Sequence, residues 1–63
     1  MKHYWFEVIA DDEGILEGEE FLVGAFDKIE AMLIAEDNFF GCELKCWGEV
    51  SEEEAEASGL DEY

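Results

Sequence analysis

Basic residues are nearly absent from this chain. Nineteen Asp and Glu face three Lys, one His and no Arg, a formal net charge of −16 over 63 residues. A field of that sign repels nucleic acid and anionic membranes, attracts basic proteins and works against the compact state through self-repulsion. It also keeps a protein soluble, so the charge reads either as a solubility device or as the mark of a basic partner. No apolar run approaches the ~20 residues that a membrane span needs. The opening residues Met1-Lys2-His3-Tyr4-Trp5-Phe6 run into Glu7 before any signal-peptide core can form. Cysteine is scarce too. Cys42 and Cys46 fall on one expected strand, where four residues span ~13 Å. A disulfide tolerates a Cα separation of only about 7 Å. Two reduced thiols packed as small hydrophobes are expected, and with them a cytoplasmic setting.

The residues that build catalytic constellations are equally thin. A nucleophile, base and orienting group would have to be assembled around His3, and the only serines, Ser51 and Ser58, sit where helix caps are expected. With nineteen carboxylates some pairs must lie close by chance, so their proximity is no signal. The chain is therefore expected not to be an enzyme and to carry no cofactor. Cys42, Cys46 and His3 are soft metal ligands, but zinc favours sulfurs in tight local loops such as C-x-x-C. Asp11-Asp12-Glu13-Gly14 lacks the alternating ligands and distal Glu of a calcium loop. No dedicated metal site is expected, and no glycine-rich phosphate motif occurs.

What the chain does have is apolar material: 49% of residues are hydrophobic and 14% aromatic, too rich for a disordered acidic segment. Residues 3–10 (HYWFEVIA) read as a strand with Tyr4, Phe6, Val8 and Ala10 on one face and His3, Trp5, Glu7 and Ile9 on the other. A turn begins at Asp11, and an extended pattern resumes over 15–26, strongest from Glu20 to Phe26. The hairpin loop can therefore lie anywhere from Asp11 to Gly18. Asp27 with Glu30 predicts a capped helix that ends near Phe40, with Gly41 beyond. Residues 42–50 predict a third strand with Cys42, Leu44, Cys46 and Val50 on one face and Glu43, Lys45, Trp47 and Glu49 on the other. Ser51 with Glu54, then Gly59 and Leu60, spell the start and stop of a short helix over 52–58 that persists only if docked.

The expected fold is α+β: a β-β-α-β domain over residues 1–50, followed by an acidic helix and tail over 51–63 docked on it. The sheet has three antiparallel strands in the order 2-1-3, one helix on a face and a short C-terminal helix. The hairpin ending Phe21-Leu22-Val23-Gly24-Ala25-Phe26, the capped acidic helix with Ala31 and Ala35, and the closing strand resemble the DpnD/PcfM-like family. The resemblance covers roughly residues 3–50. It implies a small bacterial mobile-element protein with a β-β-α-β fold and no known catalytic residues.

Two surfaces are candidates for partner binding. On the helix, Met32, Ala35, Ile34, Ala31 and Phe39 fill one sector, while Ile29, Leu33 and Phe40 fill a second, more apolar surface than one sheet face needs. The second sector reads either as core covered by the loop 11–18 or as an interface. On the far face of the sheet, Trp5, Ile9 and Trp47 read either as core completed by Ala55, Leu60 and Tyr63 of the tail or as an aromatic hot spot ringed by carboxylates. The leading expectation is an accessory protein that binds a basic protein partner, in the extreme by mimicking nucleic acid. The alternative is a self-associating homodimeric subunit; neither nucleic acid nor membrane is an expected partner.

Overall fold

In the computed structural model, which describes all residues from Met1 to Tyr63, the first strand, β1 (Lys2–Ala10), is the middle of the sheet. Tyr4, Phe6 and Val8 are buried on one face; His3, Trp5 and Glu7 alternate with them on the other. β2 (Glu20–Ala25) and β3 (Glu43–Val50) flank it, both antiparallel, in the order β2-β1-β3 expected from the hairpin and crossover. The extended pattern before Glu20 is loop, because the Asp11 carboxylate accepts from the N–H groups of Ile15 and Leu16, both at 3.2 Å, and curls that segment back. Leu16 packs against the core from there.

Helix α1 (Lys28–Asn38) is started by Asp27, whose carboxylate accepts from the Glu30 N–H at 2.8 Å. The Glu30 carboxylate reaches one residue beyond the usual capping box and accepts from Phe26 N–H at 2.9 Å. Ala31 and Ala35, fully buried and four apart, bring the helix backbone close over Phe6, Val8 and Val23. Phe21 lies over Phe6 at 5.4 Å between ring centroids and under Phe39 at 4.1 Å, an aromatic column joining sheet to helix end. The helix stops at Asn38, two residues before Phe40, as Phe39 takes a non-helical conformation and Gly41 reverses the chain at φ +85°.

On β3 the expected alternation fails at its C-terminal end. Phe6 pairs with Cys46 but Trp5 pairs with Gly48, so Trp47 is an extra residue in the ladder, and Gly48 adopts φ +121°. The bulge reverses the parity of the last two residues of the strand. Cys42, Leu44 and Cys46 pack on the α1 side as expected, but Val50 pairs with His3 and lies on the far face. Glu49 turns to the side of Tyr4.

Helix α2 (Glu52–Ser58) opens with the reciprocal Ser51–Glu54 capping box and three Glu in its first turn, where the helix dipole favours negative charge. Gly59 ends it in the left-handed conformation, but Leu60 N–H donates to the Ser58 hydroxyl at 3.1 Å rather than closing a Schellman bond. The helix lies on the far face beside His3 and Leu22, where Ala55 is buried. Asp61–Tyr63 then runs parallel to the outer edge of β2. Leu22 N–H donates to Asp61 O, Tyr63 N–H to Leu22 O and Gly24 N–H to Tyr63 O, at 2.9–3.0 Å. Leu22 is thereby buried on the face away from α1, so β2 is covered on both sides.

Candidate functional site

The tail does not complete a core over the tryptophans. It covers only the Leu22 end of the far face, and the Tyr63 ring passes round the β2 edge to meet Phe21 and Phe39 edge-on at 5.6 and 5.4 Å. What remains uncovered is a cavity of about 350 Å³ walled by Trp5, Glu7, Glu20, Trp47 and Val50. Its indoles are held by a crossed pair of hydrogen bonds. Trp5 of β1 donates from Nε1 to Glu20 of β2 at 2.8 Å, and Trp47 of β3 donates from Nε1 to Glu7 of β1 at 3.0 Å. Glu7 and Glu20 are themselves direct cross-strand partners. The Lys45 ammonium sits 4.0 Å from the centre of the Trp47 ring, a cation–π contact, though Lys45 is not one of the cavity walls. Trp5 is half-buried and Trp47 is 58% exposed. Ile9, where the β1–β3 ladder is again irregular, is exposed and stands outside the cavity.

The second candidate surface lies on the opposite side of the molecule. Ile29 (75% exposed), Leu33 (64%) and Phe40 (93%) point away from the sheet, joined by Phe26 (73%) just ahead of the helix. The loop 11–18 does not cover them; its Asp11 and Leu16 are engaged at the Cys42 edge instead. The two candidate surfaces are therefore separate, with the sheet and α1 between them.

The soft ligands do not converge. His3 is on the far face and contacts the Glu62 carboxylate, whereas Cys42 and Cys46 are free, half-buried thiols on the α1 side. Cys42 Sγ lies 3.8 Å from the Asp11 carboxylate, and burial, then the Asp11 charge and hydrogen bond, then Asp12, push its pKa up. Such a thiol is held in its unreactive protonated form.

Sequence reasoning finds Trp5 and Trp47 but not the other walls. Glu7 and Glu20 are two carboxylates among nineteen, and only the β1–β2 register brings them opposite each other. Simple alternation puts Val50 on the wrong face because it omits the bulge; Gly48, an isolated glycine inside a strand, is the one signal of it. No family model, curated protein or solved structure matches this chain. No helix in it is long and apolar enough to cross a membrane.

Proposed function

We propose that this chain is a binding protein that engages a basic protein partner through the acidic, aromatic far face of its sheet, without enzymatic activity of its own. The observation that carries the reading is the cavity in which open indole surface is framed by carboxylates on a chain of net charge −16. Fixed aromatic side chains supply contact area at little entropic cost, and the surrounding charge steers a cationic partner toward them. A partner whose basic surface ordinarily contacts nucleic acid fits that chemistry, with the chain occupying the surface as an acidic mimic. The reduced thiols suit a cytoplasmic setting, and the resemblance to the DpnD/PcfM-like family suits a role on a bacterial mobile element.

The test is a titration with a defined basic peptide, rich in Arg and Lys, at increasing NaCl from about 0.05 to 0.3 M, around the range where screening falls below ~10 Å. Saturable binding that weakens steeply with salt is expected. Absence of saturable binding at the lowest salt refutes the reading.

A homodimer through α1 is the second reading, favoured by the exposure of Phe26, Ile29, Leu33 and Phe40. Its salt dependence has the opposite sign, because two copies each carrying −16 repel and screening draws them together. Sedimentation at low micromolar protein over the same salt series separates the two: a dimer that strengthens with salt supports α1 as the interface.

A further inference from the structure

We infer that the cavity between Trp5 and Trp47 is the seat of an arginine side chain of the partner, its guanidinium lying against the indoles and donating to Glu7 and Glu20. The inference rests on the basic-partner reading above and names the contact at its centre. Glu7 and Glu20 stand directly opposite each other on neighbouring strands, an arrangement in which like charges are destabilising. Neither carboxylate forms an ion pair with a lysine, and no lysine of the structure pairs with any other carboxylate. Each gives one oxygen to an indole N–H, and no other donor of the protein reaches its second oxygen. The walls thus combine two hydrogen-bonded aromatic rings, two carboxylates with accepting capacity to spare and no cation.

A guest that answers all three must be cationic, flat enough to lie on an indole and able to donate in more than one direction at once. A guanidinium is planar, carries five donors in its plane and is more weakly hydrated than an ammonium, so it stacks and donates together. An ammonium also donates, but it is a compact, strongly hydrated point charge with no flat face to lay on an indole while it does so. Lys45 rests over the Trp47 ring without pairing with Glu7, its direct partner across the β1–β3 ladder, so Glu7 keeps its charge for a guest. The crossed hydrogen bonds fix both indoles before any guest arrives, which lowers the ordering cost of binding.

The experiment follows the two indole N–H resonances of the full chain by two-dimensional NMR. Nα-acetylarginine amide and Nα-acetyllysine amide are added at matched ionic strength. The arginine probe should shift both resonances saturably with a Kd on the order of 1 mM, as suits a ligand of its size. The lysine probe should bind about tenfold more weakly. Glu20→Gln keeps an acceptor for the Trp5 indole while removing the charge, and should weaken the arginine probe about tenfold. Trp47→Leu, at an exposed position, should abolish the preference for arginine over lysine while far-UV dichroism stays unchanged. Equal shifts by both probes, or none by the arginine probe, overturn the arginine seat. An Arg-rich peptide and its all-Lys counterpart separate this failure from a failure of the wider reading. If both bind equally and shift the indole resonances to the same extent, the arginine seat falls and the basic-partner reading stands; if both bind and leave the indoles in place, both readings fall. If neither binds, the basic-partner reading falls and takes the inference with it.

Discussion

Removal of Leu60–Tyr63 is the sharpest probe of how this small domain is held together. The deletion leaves α2 with its capping box and its Gly59 stop, but strips the outer edge of β2 of three backbone hydrogen bonds at 2.9–3.0 Å. At a net value of about 1 kcal/mol each, they contribute about 3 kcal/mol. The Tyr63 ring leaves Phe21 and Phe39, and two edge-on aromatic contacts add about 1 kcal/mol apiece. Against these stands the chain entropy regained by the released residues, at about 1 kcal/mol or less for each partly exposed one. The net loss is then roughly 1–3 kcal/mol, which for a domain of this size lowers Tm by roughly 5–20 °C. Asp61 and Glu62 leave as well, and relief of self-repulsion acts in the opposite direction. The melts are therefore run in about 0.2 M NaCl, where screening acts within ~8 Å. A truncated chain whose Tm stays within about 3 °C of the full chain refutes the edge-pairing argument.

Three further expectations concern the rest of the chain. Salt should raise the Tm of the intact protein by several degrees between low and moderate NaCl, because no lysine pairs with a carboxylate to relieve a net charge of −16; a flat or falling Tm by scanning calorimetry contradicts this. Alkylation of Cys42 should be slow at neutral pH and accelerate only above the usual thiol range, since its thiolate is disfavoured first by burial and then by Asp11, and the thiolate is the reactive form. Mass-resolved labelling across pH reads this directly, and an inflection at or below the ordinary thiol value would count against the Asp11 contact. Gly48→Ala meets no atom within 4 Å of the added carbon, so its cost is backbone strain at φ +121° alone, about 1–3 kcal/mol in urea denaturation. An unchanged midpoint would mean that the bulge does not need the glycine.

Much of this architecture is local in origin, which is why it is legible in the sequence. Capping pairs at Asp27–Glu30 and Ser51–Glu54, the glycine stops and the alternation of Tyr4, Phe6 and Val8 are decided within a few residues of chain. The wheel also separates the buried from the exposed sector, since Ala31 and Ala35 are the buried residues of α1 while Ile29, Leu33 and, just past its end, Phe40 are open. What escapes is non-local. The destination of Tyr63 depends on Asp61–Tyr63 finding the β2 edge, which depends on main-chain pairing and leaves no composition signature. The tail therefore closes an edge instead of covering the indoles.

The candidate site turns on the bulge at Trp47–Gly48. In an unbroken strand Glu49 would share a face with Lys45 and Trp47, and Val50 would face α1 with Cys46. The cavity would then gain a third carboxylate beside Glu7 and Glu20, with no third indole to bind it. The extra residue exchanges the two, so that Val50 becomes an apolar wall and Glu49 turns away to the side of Tyr4. It leaves two acids and two indoles, each acid matched to one indole N–H across a strand boundary. A solubility device needs only acidic residues facing water, and Glu49 would serve that end on either side of the sheet. Val50, and not Glu49, lines the cavity with the two tryptophans, which suits the entry of the planar guest proposed above. That is the argument for reading this face as a binding surface while the remainder of the acidic shell supplies its field.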